Sequence, residues 1–417
     1  MEVKPGYKQT DAGVIPEDWE ANSGQELTTL IGKGGSPRWQ GFGYTESGML
    51  FVTSENVRDG FLDISSPKFL PLAFHERLKR TKLQKGDILI NLVGASIGRS
   101  CQVRQDIGES NVNQAVAVFR VREGTSPSFV AHIFQLPLTI RRILELQVDA
   151  ARQNISLTNL RGFLVPMPPT RAEQEAIAAA LSDADALIES LEQLVAKKRL
   201  IKHGAMQELL TGQKRLPGFT AKWEATTLGE LTSFLSGGTP SRSNIDYWTG
   251  DIPWISATSL RRFEIDRSDS NVTKEAVAAG SKMAPVGSSL LLVRGSALHN
   301  EILCGLVIRP ACFNQDVKAL VPKPHVVPRF LTFFIHGNAE ALLKLVSSAG
   351  NTAGVLDTKL LKAFRVNLPK PPEQSAIAAV LSDMDAEITA LEGKLAKARQ
   401  VKQGMMQELL TGRIRLV

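Results

Sequence analysis

Four aspartates stand in two close pairs, Asp183 with Asp185 and Asp383 with Asp385. Paired carboxylates are what general acid–base or metal-assisted hydrolysis would need. Both pairs fall in strongly helical sequence, where residues two apart point in different directions and do not converge on one atom. They read as the solvated face of a helix. The six histidines (His75, His132, His203, His299, His325, His336) show no HExxH or paired-ligand spacing, so none reads as a metal ligand. Cys101, Cys304 and Cys312 form no CxxC pair and read as incidental thiols of a reducing compartment. The sequence has no GxxxxGK[ST] loop, no GxGxxG after a strand and no Gly-x-Ser-x-Gly elbow. It also lacks the Asn-Pro-Pro-aromatic loop of adenine methyltransferases. The glycines at 32–35 and 237–238 read as tight turns. By its own residues the chain reads as a non-catalytic binder.

What remains is charge. The net charge is +7 and the pI 9.3, a balance that suits a polyanionic partner. The excess is local: Glu76–Arg104 holds seven Lys or Arg against two acids. Aromatics make up 6%, which argues against a stacking platform for single strands. No apolar h-region opens the chain and no apolar run is long enough to span a bilayer, so a cytoplasmic protein is expected.

The elements that would carry this charge are set by a duplication. Glu173–Leu216 and Glu373–Leu416 align without a gap, with 28 identities in 44 positions. Both segments follow proline clusters (Pro166, Pro168, Pro169; Pro369, Pro371, Pro372) that forbid earlier helix and suit a helix start. Thr170 and Glu173 form a T-x-x-E capping box, and Gly212 and Gly412 supply the stops. Apolar residues recur every seven positions. The expected seam is Ile177, Leu181, Ile188, Leu191 and Val195 in one copy, and Ile377, Leu381, Ile388, Leu391 and Leu395 in the other. Lys202 and Lys402 fall in that seam, where they must either loosen the helix ends or meet acids. Each helix of about 38 residues would span roughly 57 Å. The two could pair antiparallel within the chain or join two chains, and the tether favours the former. The repeated MQELLTG places Met206, Leu209, Leu210, Met406, Leu409 and Leu410 near the helix ends, as candidates for docking other subunits.

A fainter repeat links the segments between the helices. GKGGSPR (Gly32–Arg38) parallels SGGTPSR (Ser236–Arg242), and GDILINLVGAS (Gly86–Ser96) parallels GSSLLLVRGSA (Gly287–Ala297). Short β-branched runs punctuated by Gly and Pro argue for β-rich domains. Helical patterns follow at Pro127–Gln147 and Pro328–Ser347. The expected fold is α+β. It comprises a β-rich domain over 1–168, a long helix over 169–215, a second β-rich domain over 216–370 and a second helix over 371–417. The helices form an antiparallel coiled coil, and the whole is a pseudo-two-fold internal repeat.

These motifs, in this order over nearly the whole chain, resemble the specificity subunit of type I restriction–modification enzymes. The resemblance rests on EQEAIAAALSDADALI and EQSAIAAVLSDMDAEI, the doubled MQELLTG, SGGTPSR and DIPWISA. It implies two target-recognition domains, each reading half of a bipartite double-stranded DNA site, with the coil fixing the gap. It implies two methyltransferase subunits docked on the helices and restriction/translocase subunits completing the enzyme. S-adenosylmethionine, ATP and Mg²⁺ would be bound by those partners and none by this chain. The first copy departs from the motif, with GKGGSPR for SGGTPSR and Leu50-Phe51 in place of Pro-Trp.

If the copies read different half-sites, residues shared by both cannot explain the difference. Asn113-Gln114 and Asn314-Gln315 therefore read as structural amides, and Gly94 and Gly295 as turn positions. DNA-contact candidates are the basic and polar residues of the loops: Arg38, Arg77, Lys79, Arg80, Lys82 and Arg99 in the first domain. In the second they are Arg242, Arg262, Arg267, Lys274, Arg294, His299 and Asn300. Two other readings stay open. A non-enzymatic coiled-coil adaptor with basic domains would fit the same charge, whereas a fused restriction or modification enzyme would need a catalytic motif that is not seen.

Overall fold

The structure is a computed structural model that describes residues 4–146, 154–348 and 353–416. The chain divides into two compact units. Unit 1 joins residues 1–192 to 394–417, and unit 2 is residues 193–393. Each unit therefore contains one β-rich segment and portions of both long helices.

In unit 1 the main sheet runs Thr28–Lys33, Val116–Val121, Ile88–Asn91, Ser100–Gln102, antiparallel throughout. In unit 2 the matched order is Thr232–Ser236, Val317–Pro322, Ser289–Leu292, Cys304–Val307, with Glu264–Ile265 added parallel at the edge. Each unit has a second, smaller sheet built on a parallel pair, Met49–Val52 with Ser110–Val112 and Ile252–Ile255 with Ala311–Phe313. In each, the strand that begins at the Glu of Trp-Glu closes on the strand that leads into the long helix. Glu20–Ser23 pairs with Leu164–Met167, and Glu224–Thr227 with Arg365–Leu368. The central strands are buried on both faces, Ile88–Asn91 and Ser289–Leu292 completely, which explains their unbroken apolar runs.

The expected helices over 127–147 and 328–347 are each broken. The first is Pro127–Gln135 followed by Pro137–Glu145, because Pro137 has no N–H to continue the ladder and holds Leu136 extended. The second is Pro328–Gly337 followed by Ala339–Leu343. There the Asn338 side chain bonds the Phe334 carbonyl, and Val346–Ser348 turns into strand. Gln147 lies outside the described residues.

The long helices run Arg171–Thr211 and Pro371–Leu409. Gly212 and Gly412 stop them in the left-handed region, at φ 75° and 70°. Their pairing is antiparallel within each unit. In unit 1, Asp185 meets Lys402 at 2.5 Å and Glu192 meets Arg399 at 2.5 Å. In unit 2, Lys198 meets Glu387, Arg199 meets Glu392 and Lys202 meets Asp385, at 2.6, 2.6 and 2.5 Å. Rising numbers on one helix meet falling numbers on the other. Ile177, Leu181, Val195, Ile377, Leu381, Ile388 and Leu395 are buried, while Ile188, Leu191 and Leu391 are half-buried. Asp185 and Asp385 thus depart from the expectation of a solvated face, because they neutralise the lysines that the heptad pattern puts in the seam.

The capping box at Thr170 forms only in half. Thr170 Oγ1 accepts from the Glu173 N–H at 3.2 Å, but the Glu173 carboxylate turns inward to Arg415. Glu173 and Glu373 are both buried. Arg415 holds Glu173 and also forks onto Asp18 at 2.9 Å, so both chain ends close unit 1. The hydrogen bonds from Arg415 hold the Asp18 carboxyl below its usual range. In unit 2, Arg215 binds Glu373 at 2.5 and 2.7 Å while Trp223 Nε1 donates to the same carboxylate at 3.0 Å. The next residue is equally committed. Gln174 accepts from the Ser126 N–H and Gln374 from the Val327 N–H, tying each long helix to the start of a domain helix.

The doubled MQELLTG also differs from expectation. Met206, Leu209, Leu210, Met406, Leu409 and Leu410 are all buried in the cores of their own units, so they offer no docking surface. Their spacing of three and four puts all three on one helix face, and that face turns inward. Gly337 has no room for a Cβ because Leu210 Cδ1 lies 2.6 Å from where it would stand. The exposed members of the block are Gln207, Glu208, Thr211 and Gln407.

Two predictions concern this framework. Glu373→Ala strands Arg215, so the intact chain should lose about 2–4 kcal/mol. This lies somewhat below the roughly 3–5 kcal/mol for breaking a fully buried ion pair, because Arg215 keeps some access to water. Chemical denaturation of the purified chain measures it, and an unchanged midpoint would show the clamp to be idle.

His132, buried beneath Ser182, stands where unit 2 has Phe333 under Lys202. Burial holds its imidazole down to about 4. Asp185 pulls it up, while Lys402 and Arg104 push it further down. The unfolded chain takes up a proton below about 6.5 whereas the folded one resists until near 4, so stability falls as pH drops through that window. His132→Phe should remove that share of the loss, read as a smaller drop in melting temperature from pH 6.5 to 4.5.

Candidate nucleic-acid interface

In unit 1 the basic loop is pinned to the sheet from below. Arg120 forks onto Asp87 at 2.7 and 2.8 Å and also donates to the Lys82 carbonyl at 2.8 Å. The Asp87 hydrogen bond raises the already high pKa of Arg120, so the strut stays charged. Asn111 donates to the Leu78 carbonyl at 3.2 Å, and its Oδ1 lies 2.6 Å from Nδ1 of the buried His75. These contacts fix Leu78–Lys82 as a rigid ledge. Arg77, Lys79 and Arg80 are exposed on it, with Arg77 over the Phe42 ring at 5.2 Å. Lys82 is half-buried and engaged by Glu76 at 3.0 Å and Glu109 at 3.6 Å, so its charge is largely spoken for.

Beside the ledge lies the Gly34–Gln40 loop. A Cβ on Gly34 would stand 1.5 Å from the Val112 carbonyl oxygen, and one on Gly35 2.7 Å from Gln40 Nε2. Unit 2 repeats the arrangement: Gly237 would meet Phe313 O at 2.1 Å and Gly238 would meet Gly280 O at 2.1 Å. None of the four has a positive φ. These glycines lie outside any turn. Gly34 and Gly237 let the loop lie directly on strand backbone, while Gly35 lies against the Gln40 side chain and Gly238 against the carbonyl that ends the Lys274–Gly280 helix. Arg38 is exposed on this loop. Arg99 sits apart from the ledge, at the end of the 94–96 turn, 3.8 Å from Asp59.

Unit 2 gathers its candidates into three places. Arg242 lies over Trp248 at 3.7 Å and Trp254 at 5.0 Å, and Lys274 follows Thr273, whose N–H bonds the Tyr247 carbonyl. Arg262 and Arg267 share Asp266, each at 3.9 Å, beside a cleft lined by Arg261, Glu301 and His336. Arg294 pairs through its backbone with Val355, and His299 and Asn300 are exposed on the turn that follows. Of the paired amides the asparagines serve the backbone: Asn113 Oδ1 accepts from Ala115 N–H and Asn314 Oδ1 from Asp316 N–H, whereas Gln114 and Gln315 are exposed and Gln315 accepts from the Thr239 hydroxyl at 2.7 Å. Sequence reasoning passed over Trp39, which is 94% exposed, and the Trp248–Trp254 pair that seats Arg242. The available signal was a tryptophan beside an arginine in a glycine-rich loop.

Among the described residues no cluster of three His, Cys, Asp or Glu could hold a metal, and no helix is long and apolar enough to cross a membrane. The buried thiols Cys101 and Cys304 are held protonated by burial, Cys101 with its pKa at about 12. The model of the type I restriction modification DNA specificity domain matches residues 40–197 and again 220–400. The chain belongs to this family.

One relative is the EcoR124I/EcoR124II specificity subunit of Escherichia coli. It is 31% identical over 43% of this chain, and the match spans 45% of that protein's own length. The putative MjaX specificity subunit of Methanocaldococcus jannaschii is 21% identical over 98% of this chain and 97% of its own. Among solved structures, the type I restriction–modification S subunit from M. genitalium superposes with a TM-score of 0.59 at 17% identity, covering 97% of this chain and 98% of that one. A chain of a type I R-M system, solved to describe complex assembly and conformational transition, superposes at 0.58 and 17%, covering 96% and 99%. At that identity the likeness carries the fold.

Proposed function

We propose that this specificity-family chain is the DNA-reading subunit of a type I restriction–modification complex. In this reading each β-rich domain, 1–168 and 216–370, contacts one half of a bipartite double-stranded site. The observation that carries it is the doubled basic loop: in both units a glycine-seated loop lies on strand backbone and presents exposed cations. Arg38, Arg77, Lys79, Arg80 and Arg99 would contact the first half-site, with Lys82 shielded by its acids. Arg242, Arg262, Arg267, Lys274, Arg294, His299 and Asn300 would contact the second. Phosphate contacts from such residues set position and affinity, whereas base-edge contacts set the sequence.

The paired helices would act as a ruler. A helix of 41 residues rises about 60 Å, which is roughly 18 base pairs and an upper bound on the gap. Two readers on a spacer of fixed length gain by effective concentration only when the spacing fits. The helices would also carry two methyltransferase subunits, with restriction/translocase subunits joining in a prokaryotic cytoplasm. S-adenosylmethionine, ATP and Mg²⁺ would sit in those partners.

Methylome sequencing of the host with and without this chain tests the proposal. One bipartite methylated motif should vanish on deletion, and an unchanged methylome would overturn the reading. Arg294→Ala should relax one half of that motif or weaken methylation of it roughly tenfold, the cost of one good base or phosphate contact. If neither changed, Arg294 would be removed from the interface.

A further inference from the structure

The two glycine-seated loops match residue by residue, yet they end in opposite chemistries. In Gly34-Gly35-Ser36-Pro37 and Gly237-Gly238-Thr239-Pro240 the first glycine presses on a matched strand carbonyl, that of Val112 or Phe313, and both prolines are buried. Two residues past each proline the side chain is exposed. That position is Trp39 in unit 1 and Arg242 in unit 2. Both tips are rigidly held. Behind Trp39, the N–H groups of Gln40 and Phe42 bond the Pro37 carbonyl, and Phe42 packs edge-on against Phe74 at 5.3 Å. Behind Arg242, Trp248 Nε1 bonds the Ser241 carbonyl and Trp254 Nε1 bonds the Gly238 carbonyl. The guanidinium carbon lies 3.7 Å from the Trp248 ring centroid, and no carboxylate among the described residues pairs with it.

We propose that this matched position is the DNA-contacting tip of both domains, filled by an apolar wedge at Trp39 and by a phosphate clamp at Arg242. The inference rests on the DNA-reading function proposed above. An indole held 94% exposed on a stiff turn beside Arg38 and the Arg77–Arg80 ledge has the form of a side chain that enters a base step. Arg242, seated on Trp248 and Trp254 with no carboxylate partner among the described residues, keeps a planar fork of donors that suits the paired oxygens of a backbone phosphate.

The two tips should therefore differ in their response to salt. The full chain, co-purified with its methyltransferase partners, is titrated with a duplex carrying its methylated motif at several salt concentrations. Trp39→Ala should weaken binding on the order of tenfold at every salt concentration, leaving the slope of log K against log salt unchanged, and Trp39→Phe should restore most of it. Arg242→Ala should reduce that slope by about 1, with Arg242→Lys restoring it and the methylated motif unchanged in both.

A changed base in the motif of the Arg242 variants would make it a base reader and overturn the clamp. Wild-type affinity and slope in Trp39→Ala and Arg242→Ala, with melting temperatures preserved, would overturn the tip altogether. If the wild-type complex itself ignored the duplex, the function proposed above would fall instead.

Discussion

A carboxylate buried at the start of each long helix can stay charged there only because an arginine from beyond the end of the other helix lies on it. Glu173 needs Arg415, and Glu373 needs Arg215. Removing a carboxylate from water costs several kcal/mol unless a partner and hydrogen bonds replace the solvent. The bidentate fork, with Trp223 Nε1 added in unit 2, supplies them. Because donor and acceptor lie far apart in the chain, unit 1 must join two separate stretches, 1–192 and 394–417, whereas unit 2 closes the two ends of a single stretch, 193–393, on each other. Unit 1 takes its last piece from the C-terminus and unit 2 from the residues just after the first helix. The duplication in sequence thus becomes two units with the same closure.

The same economy runs down the coil. A lysine in an apolar heptad row would normally weaken it, but Lys402 lies on Asp185 and Lys202 on Asp385. A charge pair inside a seam fixes register, since sliding by one residue would leave both charges without partners. The units diverge where the seam meets the domains. His132 faces Lys402 in one and Phe333 lies under Lys202 in the other. Farther out, on the glycine-seated loops, the copies part completely. The framework is shared, and the copies differ at one buried position beneath the seam lysine, at the edge strand Glu264–Ile265 of unit 2 and at the exposed loop tips.

Much of this was legible in the sequence because its signals are local and periodic. Seven-residue spacing, proline clusters and terminal glycines determined the long helices to within a few residues. Matched runs such as GDILINLVGAS and GSSLLLVRGSA located the central strands. What escaped was long-range. The T-x-x-E at Thr170 reads as a local cap, and nothing near it reveals that Arg415 takes the carboxylate. The pair Asp183 and Asp185 looks uniformly solvated until the partner helix supplies Lys402. The repeated MQELLTG reads as a docking site for other subunits near the helix ends, but the domain core extends to cover Met206 and Leu210. The glycines at 34 and 237 matter for what they press against, which no single stretch of sequence records. Basic residues were found readily, but which of them are already neutralised, as Lys82 is, depends on acids elsewhere in the fold.

The central claim is that both units are closed in the same way, so that the break in the chain can be moved from one to the other. The ends permit it: Tyr7 reaches the Gly412 carbonyl at 3.4 Å, and Arg415 bonds Asp18. A permuted chain beginning at Pro217, with Leu416 joined to Lys4 by a short flexible linker and ending at Leu216, measures this directly. It should melt within a few degrees of the parent and direct methylation to the same motif. A permutant that fails to fold, or that folds and loses one half of the motif, would contradict the account.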